Sequence, residues 1–334
     1  MPLFLSGEDV GALATPDVVV AAARAAVAAE RDGCAVVPPR LDVDLPVGFL
    51  RVMPGAIGEL MGLKVMTLVR GVGNRYLLLV YSQATGALLA LLDADEVTRL
   101  RTAGITTAAA EVLQPEPQRH LGLIGSGFEA TTHLRALARL WPLESVAVYS
   151  PNAHRCAAFA ERESAKLGIA VEPAASPGDV LARARTIVLA TKANEPVIDG
   201  ADIQPGSIVL SIGSTRPDLR ELDRTTLARA AMLVVDDADS VLRESGDVID
   251  AVQHGALAPE HLISIGEAMS RPQALARSSE RDLGVFKSVG TAVQDLALAG
   301  ELITLAAEQG VGRELGELTR LKRSAVVRLD GGPG

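Results

Sequence analysis

One segment, HLGLIGSGFEATTHLRAL at residues 120–137, restricts the possible folds more than any other. An apolar run with no polar face turns through Gly125, Ser126 and Gly127 into a helical pattern. A strand that is apolar on both faces must be covered by helices on both, which is the condition of a parallel sheet. The rhythm then repeats. FEATTHLRALARLW and NAHRCAAFAERESAKLG read as helices, and SVAVYS, TIVLAT, SIVLSIG and MLVVDD as further buried strands. Residues 116–285 are therefore expected to form a Rossmann-type, doubly wound parallel sheet.

In that setting the GxGxxA spacing has a physical purpose. Gly125 permits a tight turn, Gly127 lets the backbone approach a pyrophosphate, and Ala130 lets the helix pack closely on the strand. The free N–H groups of the helix start, around Phe128 and Glu129, then face the phosphates. The motif alone is a weak signal; its position between a strand and a helix makes it a dinucleotide site. An NAD enzyme usually places an acid at the end of the next strand to bind the ribose hydroxyls. Here that stretch is AVYSPNAHR, without a carboxylate. Ser150 and Asn152 can donate to a 2′-phosphate and Arg155 can pair with it, so NADP is expected ahead of NAD.

The flanks have a different pattern. Ser6 opens a cap-like stretch, and Thr15-Pro16 starts an Ala/Val-rich helix ending near Arg31. From 33 to 92 short β-branched segments separated by Gly and Pro read as a meander, with a turn at residues 84–86. DADEVTRLRTAGITTAAAEVL reads as a long helix that stops before Pro115 and Pro117. From Val285 onward the chain reads as mostly helical. Residues 1–115 plus 286–334 are thus expected to form an α+β substrate and dimerisation domain, with the Rossmann part inserted in it and a frayed tail at 330–334. Aromatics are 3% of the chain, so the core must be built from Ala, Val and Leu.

The net charge of −9 and the absence of a Lys/Arg block argue against nucleic acid and anionic membranes as partners. No run of 18 apolar residues is present, and the N-terminal stretch lacks the basic region of a signal peptide. Cys34 and Cys156 show neither CxxC nor metal-ligand spacing, as expected of reduced thiols in a cytoplasmic protein with no metal. His120, His133, His154, His254 and His261 share no spacing and are not expected to be catalytic. Asp236-Asp237 is expected to end a strand and cap a helix, and Glu244 and Asp247 to fix their own loop.

Seven segments in order, GLKVMTL, LRTAGITTAAA, GSGFEA, LATKANEPVI, SIGSTRPDLRELD, VVDDADSVLRESGDV and VFKSVGTAVQDLA, resemble the ornithine cyclodeaminase/mu-crystallin family over about residues 35–300. The resemblance implies a homodimer built by the first domain and a site between the two domains, acting on 2-imino or 2-amino acids. It maps the active-site lysine onto Lys64 and an arginine onto Arg101. It also maps an arginine that closes on the substrate carboxylate onto Arg40. Such guanidinium groups hold a carboxylate in one plane. Lys64 can bond the same carboxylate or supply a proton to the imine nitrogen or its water. Thr191, Lys287, Ser288 and Gly290 fall in segments that line the cofactor, Lys287 and Ser288 reaching the ring amide through backbone or side chain. Asp295 falls in the same stretch resembling the one that lines the nicotinamide; it is either a helix-surface acid or, as Leu296, Ala297 and Ala299 beside it suggest, part of a partly buried helix.

Two departures matter. Cyclodeaminases carry an acid where this chain has Thr215, and a glutamate for a second amine where it has Arg51 or Val52. A threonine can orient an amine or water but is no base at neutral pH. The resemblance therefore points first to an NAD(P)H-dependent reductase of 2-imino acids, near the ketimine reductases. A cyclodeaminase recycling bound NAD and a non-catalytic NADPH-binding protein are the alternatives.

Overall fold

The computed structural model describes residues 1–270 and 282–318. Strand β1 (Leu3–Leu5) leads to α1 (Gly7–Leu13) and α2 (Pro16–Arg31). Both helix starts follow from local chemistry: Ser6 and Asp9 form a reciprocal capping box, and Thr15 caps α2 with proline in its first turn. The predicted meander follows as β2 (Ala35–Val36), β3 (Leu41–Leu45), β4 (Gly48–Ile57), β5 (Leu60–Val69), β6 (Gly73–Ser82) and β7 (Leu88–Asp93). Strands β4 to β7 pair antiparallel in sequence, β1 adds parallel to β7, and β2 and β3 both pair with β4. Period-two alternation places Phe49, Arg51 and Met53 on the buried face of β4.

Helix α3 (Ala94–Leu113) joins the two halves. Every residue from Arg101 to Ala110 is buried, because its small side chains admit α2 on one side and the second sheet on the other. A Cβ added at Gly104 would lie 2.9 Å from the Val19 carbonyl oxygen. Its buried threonine hydroxyls donate to carbonyls one turn back, as at Thr102 to Thr98 and Thr106 to Thr102, and so remain satisfied.

The second half alternates as expected: β8 (His120–Ile124), α4 (Phe128–Leu140), β9 (Ser145–Tyr149), α5 (Ala153–Leu167), β10 (Ala170–Pro173), α6 (Pro177–Arg183), β11 (Thr186–Leu189), β12 (Ile208–Ser211), α7 (Arg224–Arg229) and β13 (Ala230–Val235). Then come α8 (Ala238–Glu244), α9 (Gly246–Gln253), β14 (Leu262–Ser264), α10 (Ile265–Ser270), β15 (Leu283–Lys287), α11 (Ala292–Gln309) and β16 (Arg313–Glu314). The sheet runs β10-β9-β8-β11-β12-β15-β13-β14, all parallel, and the strand order reverses beside β8. Ligands of open parallel sheets bind at such a reversal, outside the carboxyl ends of the strands.

One expectation is corrected here. The chain beyond Val285 does not open as helix: Leu283–Lys287 is an inner strand of the parallel sheet, between β12 and β13. A five-residue run buried on both faces carries no periodicity that separates strand from helix. Among the described residues one helix follows, α11, which returns to pack on α2, β4 and β5 of the first half. Gly62 makes that contact possible, since a Cβ there would lie 2.8 Å from Leu296 Cδ2. The tail at 330–334 lies outside the described residues.

Candidate active site

The turn between β8 and α4 has the shape its spacing requires. Gly125 has φ +119°, and a Cβ there would lie 2.4 Å from the Ala190 carbonyl oxygen. Gly127 caps α4 without a side-chain bond to the first N–H groups, and nothing lies within 4 Å of where its Cβ would be. Those amides are open to an anion, Ser126 is part-exposed, Phe128 is exposed, and Ala130 is fully buried against the sheet. The turn therefore fits the pyrophosphate of a dinucleotide. Thr191 lies just beyond β11, where its N–H and hydroxyl both donate to Glu221 Oε1 at 2.6 and 2.8 Å. Ser150 and Asn152 follow β9. Asn152 caps α5 by accepting the Arg155 N–H, while the Arg155 side chain points to solvent.

A cleft of about 350 Å³ lies between the inner face of the first sheet and the carboxyl ends of the parallel strands. It brings together Arg40, Lys64, Arg101, Thr215, Glu129 and the Ser288–Gly290 turn, which the sequence had distributed over most of the chain. A cavity of about 470 Å³ lined by α2, α3 and α4 contains none of the predicted site residues.

The cationic side chains are held by acids that the sequence analysis singled out without their cationic partners. Lys64 Nζ is 2.6 Å from Asp295 Oδ2, and Arg101 Nε donates to Asp295 Oδ1 at 2.9 Å. Arg101 also donates to Gln294 Oε1 at 2.9 Å. Asp295 is completely buried, so of its two readings the buried one holds and the helix-surface one does not. The signal was available: an acid on the apolar stripe of Leu296, Ala299 and Leu302 must find a buried cation. Burial pushes the Lys64 ammonium down to about 8, outweighing the opposing pull of Asp295. Burial likewise lowers Arg40 to about 10.

Arg40 meets Glu244 at 2.5 Å and donates to the carbonyls of Val289 and Gly290 at 3.0 and 2.9 Å. Glu244 thus serves the cleft and not only its own loop. Asp237 caps α8 as expected, but Asp236 does more than end a strand. It accepts from the Ser288 hydroxyl at 2.6 Å and from the amides of Val289 and Gly290. Gly290 has φ +78°, and a Cβ there would lie 2.4 Å from Arg101 Nη1. Gly290→Ala is therefore expected to displace the Arg101 guanidinium and lower kcat/KM about 100-fold, the scale of a one-ångström misplacement. Steady-state kinetics checks this; a loss under threefold would contradict it.

The side-chain route to the ring amide is closed to Lys287, which leaves the backbone route. Its side chain is fully buried, donating to Ser211 Oγ at 3.0 Å and lying 3.0 Å from Asp247 Oδ2, away from the cleft. It belongs to a buried hub centred on Glu221, which accepts from Ser211 Oγ and the Gly213 amide at 2.8 Å each. Asp247 accepts from the amides of Glu221 and Leu222, as its loop-fixing role predicts. The hub ties the ends of β11, β12 and β15 to one another beside the phosphate turn. Of the histidines, His133 is fully buried, its imidazole pushed down to about 4 by burial and so neutral. None of the five lines the cleft.

A parallel sheet with an open phosphate turn, facing a cleft of buried cations, defines a dinucleotide-binding protein. The chain belongs to the ornithine cyclodeaminase/mu-crystallin family, whose model matches residues 1–308. It is 30% identical over 316 residues to the ketimine reductase mu-crystallin of Mus musculus, covering 89% of this chain and 95% of the relative. It is also 30% identical over 264 residues to a Delta(1)-pyrroline-2-carboxylate reductase of Bacillus cereus, covering 77% and 81% of the two chains. The Thermococcus litoralis Delta(1)-pyrroline-2-carboxylate reductase, solved with NADH and L-proline, superposes with a TM-score of 0.88. That structure is 31% identical, and the match covers 94% of this chain and all of the other.

Proposed function

We propose that this protein is an NAD(P)H-dependent reductase of 2-imino acids, with hydride delivered to the imine carbon. The observation that carries the reading is the buried Lys64–Asp295–Arg101 triad beside Arg40, facing the dinucleotide turn across one cleft. The similarity to imine reductases over most of the chain supports it.

When bound, the reduced nicotinamide supplies the hydride. The chain's residues do the rest. Arg101 and Arg40 hold the substrate carboxylate and so present the imine carbon to the carboxyl ends of the strands. Lys64, charged below about pH 8, gives a proton to the imine nitrogen as it gains the C=N electron pair. Asp295 keeps the ammonium in place and Thr215 orients the nitrogen or a water. Imine, reduced dinucleotide and proton become amine and oxidised dinucleotide. Low dielectric in the cleft strengthens each contact. The test is a spectrophotometric panel of pyrroline-2-carboxylate, piperideine-2-carboxylate, and pyruvate with ammonia or methylamine. Stoichiometric loss of the reduced cofactor is expected. Ammonia released from ornithine at constant absorbance would instead support cyclodeamination, and tight cofactor binding without turnover a binding protein.

For the cofactor we favour NADP. No carboxylate follows β9, and Ser150, Asn152 and Arg155 offer donors at that end. NADPH is expected to give a kcat/KM about 10-fold above NADH, and Arg155→Ala to remove most of that ratio through KM. A preference for NADH overturns the choice.

The outer face of the first sheet supports a homodimer. Leu41, Val43 and Leu45 of β3, Met61 and Val69 of β5 and Leu77 of β6 are exposed on it, and no helix among the described residues covers them. Light scattering should give twice the chain mass. No single helix among the described residues is long and apolar enough to cross a membrane. The two unpaired thiols, Cys34 exposed and Cys156 buried, suit a reducing compartment, and we assign the protein to the cytoplasm.

A further inference from the structure

The imine site uses one end of the cleft, yet a second cationic group stands in the same space. Arg51, on β4, is 5% exposed and faces the cleft with Phe49 and Met53. Its Nε and Nη2 donate to the two oxygens of Asp42 at 2.7 and 2.6 Å, which fixes the plane of the guanidinium. Among the described residues, no bond takes its Nη1. From the opposite wall, on the loop after β12, Arg216 approaches the same point. The Arg51 and Arg216 guanidinium carbons lie 5.4 and 5.1 Å from the centroid of a single ring, Phe49. Asp218, the partner of Arg216, is mostly exposed.

Two guanidinium groups beside one ring repel each other, and the acids that answer them, Asp42 for Arg51 and Asp218 for Arg216, are partly and mostly exposed, where solvent weakens their pull. A second anion between them would complete the arrangement. The position is suited to the substrate. Arg51 pairs with Met66 across the ladder and Lys64 with Met53, so both side chains leave the same face of the sheet. Diagonal neighbours of this kind stand about 7–8 Å apart.

Resting on the reductase reading, we propose that the cleft selects 2-imino dicarboxylic acids. The carboxylate next to the imine goes to Arg40 and Arg101, and the distal carboxylate to Arg51 and Arg216. The reaction is unchanged in balance: the imine carbon gains hydride, the nitrogen gains a proton, and the reduced dinucleotide is oxidised. A substrate with an apolar side chain would cover the Arg51 group without replacing its water, and a polar site left unpaired discriminates strongly.

The test compares imines formed in situ from ammonia with 2-oxoglutarate or oxaloacetate against those from pyruvate or 2-oxobutyrate. In the unmodified protein, kcat/KM is expected to be about 100-fold higher for the dicarboxylic pair, with the difference in KM because the distal group is remote from the reacting carbon. Arg216→Gln should reduce that ratio about 10-fold. The double variant Asp42→Asn/Arg51→Gln, which leaves no buried charge unpaired, should bring it close to one. Calorimetry of 2-oxoglutarate and pyruvate with the protein carrying oxidised cofactor should show the same order of affinities. A ratio at or below one in the unmodified protein, or one unchanged in both variants, overturns the proposal. Failure to reduce any imine, with the calorimetric preference for 2-oxoglutarate intact, overturns the reductase reading and supports the subsite. A calorimetric preference for pyruvate overturns the subsite.

Discussion

Replacing Lys64 by methionine is expected to lower kcat about 100- to 10,000-fold, the range attributed to a positioned proton donor. Methionine fills nearly the same volume, so packing beneath β5 is kept, and Asp295 retains Arg101 as its partner. The fold should therefore survive, and melting curves can confirm it. The pH profile gives a second readout. With a pKa of about 8 the lysine is charged below that value and neutral above it. Activity that needs the charged form is present below pH 8 and lost as pH rises through it. In Lys64→Met that alkaline limb should vanish along with the rate. A limb that persists in the variant, or a flat profile through pH 9 in the parent, would assign the proton to another group.

Asp295→Leu should produce the largest loss of stability of any substitution in the cleft. Asp295 is completely buried and is the shared anion of Lys64 and Arg101. Its removal leaves two cations, 2% and 7% exposed, without that counter-charge. Breaking a buried pair in this way costs about 3–5 kcal/mol, because the remaining charge keeps its desolvation penalty. Urea denaturation should show the midpoint falling while the slope stays constant. Adding Lys64→Met to Asp295→Leu should restore part of the stability, since one orphan cation is then gone. A double variant no more stable than Asp295→Leu would mean that the cost is packing and not charge.

The parts of the site that were legible in the sequence are those with short-range signatures. The GSGFEA turn is local: glycine where φ is positive, a small residue where helix meets strand, and a bare helix start. Lys64, Arg40 and Arg101 were legible through ordered segments resembling the family, and all three face the cleft. The direction of the Lys287 side chain was not legible, although its neighbours in sequence line the site. In a strand, successive side chains and turns diverge, and this one points into the sheet toward Ser211 and Asp247.

By itself, then, the sequence determined the parallel alternation of strand and helix, the dinucleotide turn, the meander and the helix caps, since each depends on residues close together in the chain. Only the tertiary structure decided the partners of the charges. Asp295 lies 231 positions beyond Lys64 and Glu244 lies 204 beyond Arg40, yet each pair is in contact. No local periodicity records such a pairing, because the driving force is the cost of burying a charge alone, and any acid delivered by the fold can answer it. The same holds for Arg51, on β4, and Arg216, on the loop after β12, which come from the two halves of the chain to one ring. The phosphate turn is written in six adjacent residues; the cleft opposite it exists only once α3 and α11 bring the two sheets face to face.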